Sequence, residues 1–174
     1  MTPTWLVPLL LTCAPQVHTS TALALLRIES SFNPWAIGVV GGALHRQPRD
    51  AAEALATARA LHAAGWSFSV GLGQINVRNL PRLGLSLDTA FEPCRNLAAM
   101  QTVLLECFSR ATGRRAGSPS LASAQQALQR SLSCYYSGNF STGFQHGYVH
   151  RVRTAIPGLP ATSPVPPVLP KEPT

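Results

Sequence analysis

Four cysteines, Cys13, Cys94, Cys107 and Cys134, constrain this chain's topology more than any other feature. They form an even set with no C-x-x-C spacing, which favours two disulfides and an oxidising compartment over a zinc site, with four buried free thiols as the alternative. Cys94 and Cys107 stand thirteen residues apart in what reads as one helix. At 1.5 Å of rise per residue they would lie about 20 Å apart, beyond the reach of a disulfide, so each must find its partner elsewhere. If two helices turn back on each other near residue 114, Cys94 falls opposite Cys134, which leaves Cys13 for Cys107. The expected framework is Cys94–Cys134 and Cys13–Cys107, each bridge contributing about 2–4 kcal/mol.

The punctuation of the chain predicts the helices that carry these cysteines. Thr19, Ser20 or Thr21 can cap a helix running to about Ser30, which Asn33-Pro34 stops because a residue before proline avoids helical geometry. Asp50 is the expected cap of a helix over Ala51 to Ala64, ended by Gly65. Between them, glycines flank Val39-Val40, a short β-type segment that could form a small hairpin with the chain before Trp66. Pro93 opens a helix from about Cys94 to Arg110; Gly113 to Pro119 reads as a loop, and Ser120 or Ser123 starts a helix ending near Ser133. Ser133 to Phe144 then reads as an aromatic, glycine-rich loop, and Gly147-Tyr-Val-His-Arg-Val152 begins a last short helix.

At its two ends the chain changes character. Trp5 to Leu11 resembles the apolar core of an export signal, but no Lys or Arg precedes it, and the same run could pack as a first core segment. From Pro157 onward seven of eighteen residues are proline, the composition of an extended linker or docking arm. The expected organisation is an apolar segment over 1–12, one domain over 13–156 and a Pro-rich, disordered tail over 157–174. No apolar run reaches the 18 or more residues of a spanning helix, so no integral membrane span is expected.

The balance of fourteen Lys and Arg against seven Asp and Glu suits an anionic partner such as nucleic acid, acidic lipid or cell-wall polymer, of which nucleic acid is disfavoured, since the chain has no long basic run and no nucleic-acid motif. The histidines show no metal spacing; His146 and His150, one helical turn apart, lack an acidic or cysteine third ligand and read as solvated or structural. Neither a metal nor another cofactor is expected.

Scarcity of acids narrows the chemistry further. Besides Glu29 the carboxylates are Asp50, Glu53, Asp88, Glu92, Glu106 and Glu172, so a two-carboxylate mechanism would be hard to staff. Glu29 follows Ala22, Leu25 and Leu26 by seven, four and three residues, which at helical spacing sets its carboxyl on an apolar stripe. Desolvation there raises the pKa, as a general acid near neutral pH requires; an ordinary surface Glu near a helix end is the bland alternative. Downstream, Phe68 to Asn79 carries two glycines and the amides of Gln74 and Asn76, able to bind a polar ligand, although glycine pairs more often mark a tight turn. Tyr135 and Tyr136 offer flat apolar faces of the kind sugars stack on, with core packing as their commoner fate.

Three stretches, Glu-Ser-Ser-Phe-Asn-Pro from Glu29, Gly-Leu-Gly-Gln-Ile-Asn from Gly71 and Cys-Tyr-Tyr-Ser-Gly-Asn from Cys134, resemble in order and spacing the signature segments of lytic transglycosylases with the goose-type lysozyme fold. Ala36 to Gly42, Phe91 to Leu97 and Gly147-Tyr-Val149 resemble more narrowly the VirB-type transglycosylases of type IV secretion and conjugation systems. The resemblance covers roughly Cys13 to Val152 and implies a mainly α (α+β), lysozyme-like domain with a small β-hairpin region. It implies an exported, periplasmic enzyme that cuts the β-1,4 bond between N-acetylmuramic acid and N-acetylglucosamine without water, closing a 1,6-anhydro ring. Glu29 would be the sole catalytic acid/base, with Ser69, Gln74, Asn76 and Tyr135 holding the glycan and Tyr136 beside them. The implied partners are peptidoglycan strands and, through the Pro-rich tail, components of a secretion system.

Two positions depart from the pattern. Gly73 stands where many relatives carry Met, which would remove a bulky wall of the groove, and Tyr136 stands where many carry Asn, which alters the hydrogen bonding around Tyr135. The competing readings are a hydrolytic muramidase, for which Asp50, Asp88 or Glu92 would have to activate water, and a non-catalytic glycan-binding or scaffold subunit.

Overall fold

The computed structural model describes residues 1–113 and 121–156. Two helices open the chain, α1 (Leu6–Cys13) and α2 (Thr19–Ser30), followed by a short strand β1 (Ile37–Val39) and helix α3 (Ala51–Ala63). Strands β2 (Phe68–Val70) and β3 (Ile75–Asn76) lead through two single-turn 3-10 segments into the long helices α4 (Pro93–Thr112) and α5 (Leu121–Ser137). Two short helices, α6 (Thr142–Gln145) and α7 (Tyr148–Thr154), complete the described structure.

Helix α4 is the axis of the core. Leu97, Met100, Leu104, Cys107 and Ala111 are buried along it at alternating spacings of three and four, the stripe that a 3.6-residue period places on one face. Against that stripe α5 lays Ala127, Ser131 and Cys134, whose small side chains let the two helices approach closely. Helix α1 packs on α4 as well, burying Leu6 and Leu10 while Trp5, Val7 and Leu11 stay exposed. No helix among the described residues is long and apolar enough to cross a membrane.

The cysteines bridge Cys13 to Cys94 and Cys107 to Cys134, with Cα separations of 5.2 and 5.7 Å. This corrects the expected pairing of Cys94 with Cys134 and Cys13 with Cys107. Counting back symmetrically from a turn assumes that the two helices lie in mirror register. Cys107 is five residues from the end of α4, whereas Cys134 is thirteen residues into α5, and α1 rather than α5 reaches the start of α4. Cys94 and Cys107 do take different partners, as their separation along one helix requires.

The caps explain most of the remaining boundaries. Asp50 accepts a 2.8 Å hydrogen bond from the Glu53 amide at the start of α3, and Glu53 reaches back to the Arg49 amide at 2.9 Å. Such a cap is worth about 1 kcal/mol. At the start of α2 the cap is His18, whose Nδ1 accepts from the Ser20 amide, instead of Thr19, Ser20 or Thr21. Ser31 and Phe32, both left-handed at φ 53° and 67°, end α2 before the proline is reached.

The three strands form an antiparallel sheet in sequence order, with Gly38 opposite Ser69 and Ser69 opposite Asn76. β1 therefore pairs with the chain after Trp66, not before it. Gln47 covers the open edge of β1 by exchanging two hydrogen bonds with the Ile37 main chain, at 2.8 and 2.9 Å, as a further strand would. Helix α5 also runs past Ser133 to Ser137, where a loop was expected. Its last turn is anchored by the Cys107–Cys134 bridge, and tertiary anchoring of this kind overrides the modest helix propensity of Tyr and Ser. The loop expected over Gly113–Pro119 and the Pro-rich tail lie, apart from Gly113, outside the described residues.

Candidate active site

Glu29 occupies the last turn of α2, on the same side of the helix as the fully buried Ala22, Leu25 and Leu26. The residue keeps some exposed surface, but its carboxyl is largely desolvated, and that desolvation is the main reason its pKa is raised to about 7. Two neighbours oppose the rise. The hydroxyl of Tyr148, on α7, donates a hydrogen bond to Glu29 Oε1, and the positive charge of Arg151 acts in the same direction. Near neutral pH the carboxyl is thus divided between acid and carboxylate, the condition in which one group can give and then take a proton.

Tyr148 is itself buried, at 2 % exposure, and burial together with the Glu29 charge holds its phenol well above the usual tyrosine range. It therefore stays a donor at any working pH. The Tyr136 ring stacks on Tyr148 at 4.6 Å between centroids, and the Tyr136 hydroxyl lies 3.2 Å from His146 Nδ1. Arg151 donates to the His146 carbonyl at 3.0 Å and stands over the Tyr148 ring at 5.9 Å. Glu29, Tyr148, Arg151, His146 and Tyr136 form one connected group.

A groove of about 380 Å³ runs beside this group, lined by Ser69, Gln74 and Asn76 from the sheet side and by Tyr135, Tyr136 and Gly138 from the end of α5. All five residues expected to hold a ligand line it. Glu29 is not in its lining; it is joined to the groove through the Tyr136–Tyr148 stack and through Tyr135, whose phenol feels its charge.

The roles of the lining residues differ. Asn76 Oδ1 accepts from the Arg78 amide at 3.0 Å, capping the first 3-10 turn, and its Nδ2 donates to Ser67 Oγ at 3.3 Å. Gln74, left-handed at φ 49°, spends both amide hydrogens on the Ala36 and Gly71 carbonyls, at 3.1 and 3.0 Å. A Cβ on Gly38 would come within 2.6 Å of Gln74 Oε1, so the strand passes there without a side chain. The Ser69 hydroxyl has no hydrogen bond among the described residues and is available to a ligand. Tyr135 donates to the Gly73 carbonyl at 2.5 Å.

Gly73 does not border empty space. A Cβ there would meet Met100 at 2.9 Å and the Tyr135 hydroxyl at 3.1 Å, so α4 and α5 already fill the place that the missing side chain was expected to leave open. The loop is held from below by Asn96, fully buried on α4. Its Nδ2 donates to the Val70 and Ala90 carbonyls at 3.0 and 2.8 Å, and its Oδ1 accepts from the Gly73 amide at 2.7 Å. Gly71, at φ 77°, could carry no side chain, since a Cβ would lie 2.3 Å from Asn96 Nδ2.

Tyr148, Arg151, His146 and Asn96 were not singled out as site residues in the sequence. A signal existed for Tyr148: a tyrosine on the apolar face of a helix needs a partner for its hydroxyl, and Glu29 is the acid on an apolar stripe. Among the described residues no group of three His, Cys, Asp or Glu is arranged to hold a metal.

The mainly helical fold with its small antiparallel sheet is that of a lysozyme-like domain, and the chain belongs to the transglycosylase SLT domain family, whose profile matches residues 11–152. Within that family it is similar to VirB1 proteins. It is 47 % identical over 133 residues to the type IV secretion system protein virB1 of Brucella abortus, covering 76 % of this chain and 54 % of that protein. It is 41 % identical over 149 residues to protein virB1 of Rhizobium radiobacter, covering 84 % and 59 %, and 38 % identical over the same length to protein virB1 of Agrobacterium fabrum, covering 84 % and 57 %. The chain thus spans little more than half the length of these relatives. No solved structure matches it.

Proposed function

We propose that this domain is a peptidoglycan lytic transglycosylase that opens the cell wall locally for a type IV secretion or conjugation machine, working in the periplasm. One observation carries the reading: Glu29 is the carboxyl, among the described residues, that is neither ion-paired with an arginine nor engaged in a helix cap, and its pKa is raised to about 7. Glu53, Asp88, Glu92 and Glu106 are each paired with an arginine, and Asp50 caps α3. Glu29 protonates the oxygen leaving N-acetylmuramic acid C1. As that bond breaks, the C6 hydroxyl of the same sugar attacks C1, and its proton passes to the Glu29 carboxylate. The ring closes as a 1,6-anhydro sugar, no water is consumed, and the acid is regenerated. Tyr148 holds the carboxyl in place, while Ser69, Gln74, Asn76, Tyr135 and Tyr136 line the path of the glycan.

This single-carboxylate scheme is favoured over hydrolysis because Asp50, Asp88 and Glu92, the acids that could activate a water, are engaged as cap or ion pair. Mass spectrometry of muropeptides released from purified cell wall tests it. Products one water lighter than hydrolytic ends are expected; ends with water added would mark a muramidase, and no release would leave a binding or scaffold domain.

A further inference from the structure

We infer that Arg110, Arg130 and Phe140 form a carboxylate-binding subsite at the Gly138 end of the groove, which takes an acidic peptide branch of the glycan. The inference rests on the proposed glycan-cleaving function and adds the chemical class of the branch to it. Arg46, Arg49, Arg59, Arg82 and Arg95 each meet a carboxylate. Arg110 and Arg130 meet none among the described residues, yet both are held over one aromatic ring, their guanidinium carbons 5.4 and 4.5 Å from the Phe140 centroid. Two cations gathered on one ring with no acid beside them invite an anion from outside.

Helix capping accounts for part of this arrangement. Arg110 donates at 3.4 Å to the Gly138 carbonyl at the end of α5 and at 3.4 Å to Cys134 Sγ, and Arg130 donates at 3.2 Å to the Ala111 carbonyl in the last turn of α4. Each helix C-terminus supplies roughly half a negative charge, so two arginines on two termini keep a surplus of about one positive charge, suited to a single carboxylate and not to a polyanion. Among the described residues these bonds use two of the five N–H donors of Arg110 and one of the five of Arg130, which leaves three and four for a ligand. Planar arginine forks suit carboxylate oxygens in particular.

The place of the cluster connects it to the groove. Gly138, which accepts the Arg110 hydrogen bond, lines the groove together with Ser137 and Val103, and Val103 lies on α4 seven residues before Arg110, about 10 Å along the helix. A branch of a few residues, at about 3.3 Å each, spans that distance from a sugar lying in the groove. The groove itself offers amides, hydroxyls and ring faces suited to neutral sugar, so the charge recognition falls to its end.

The test compares fluorescently labelled soluble glycan strands with their peptide branches intact, with the peptides removed, and with the peptide carboxylates amidated. Binding is measured on the full chain carrying Glu29→Gln, so that the strands stay whole. Intact strands are expected to bind about tenfold more tightly than the other two, in keeping with one charged hydrogen-bonded contact, and the preference should shrink as salt rises from about 50 to 300 mM. Adding Arg110→Gln with Arg130→Gln should bring intact strands to the affinity of peptide-free ones while leaving the latter unchanged. Equal binding of intact and amidated strands would overturn the subsite, a result that needs no arginine variant to fold. So would a folded double variant that keeps the preference. Discrimination by a chain whose Glu29-bearing parent cleaves neither kind of strand would sink the proposed chemistry and leave the subsite in place.

Discussion

Glu29→Gln should stabilise the protein, and only above the pH at which the carboxyl would otherwise ionise. The folded-state pKa is about 7 against an ordinary 4.5, and burial is the main cause. Below pH 4.5 the carboxyl is neutral both folded and unfolded, and the substitution changes little. As pH rises the unfolded chain ionises freely while the folded chain resists, so stability is lost progressively until pH passes the folded value near 7. A difference of about 2.5 pH units at 1.36 kcal/mol each sets the loss on the order of 3 kcal/mol. The amide introduced by the substitution has nothing to ionise and still offers an oxygen to the Tyr148 hydroxyl. Urea titrations of parent and variant at about pH 4 and pH 8 should therefore coincide at the lower pH and separate by on the order of 3 kcal/mol at the higher, about 6–12 °C in Tm for a chain of this size. A gap of the same size at both pH values, or a less stable variant at the higher pH, would refute the desolvation argument.

Three further outcomes follow from the same geometry. Tyr148→Phe removes the hydrogen bond that lowers the Glu29 pKa, so the alkaline limb of kcat/KM should move up by about one to two pH units; a limb that stays or falls would show that the hydroxyl does not act on Glu29. Asn96→Ala leaves the Gly73 amide and the Val70 and Ala90 carbonyls without their side-chain partner, which should cost at least about 3 kcal/mol in a denaturant titration, and a loss below about 1 kcal/mol would mean the loop is held by other contacts. Peptide mapping without reduction should recover Cys13 joined to Cys94 and Cys107 joined to Cys134; a Cys94–Cys134 peptide would contradict the packing of α1 on α4.

What could be read from the sequence was governed by local physics. The α2 stripe of Ala22, Leu25 and Leu26 beneath Glu29 and the Asp50 cap depend on residues within one or two helical turns, and periodicity and capping rules reach that far. The five groove residues were gathered by resemblance of motif, and the register Ser69 opposite Asn76 is what brings two of them together. The disulfide pairing failed because it depends on how α1, α4 and α5 cross, which no local rule specifies. For the same reason the end of α5 was misread: Cys134-Tyr-Tyr is helical because a bridge and a hydrogen bond to Gly73 hold it, not because its residues prefer a helix. The contact from Tyr148 to Glu29 spans 119 residues, and Asn96 reaches 23 and 26 residues back to Gly73 and Val70. Pairs so distant along the chain become visible only in the fold.

The most direct measurement of the central claim is the muropeptide spectrum released from purified cell wall by the parent and by Glu29→Gln, with the variant shown to be folded. The parent should yield anhydro-ended products, and the variant should yield them at least about 10²–10⁴-fold more slowly, the usual loss for a positioned acid/base, while still binding the glycan. A folded Glu29→Gln protein that releases anhydro-muropeptides at near the parent rate would contradict the assignment of Glu29 as the sole acid/base.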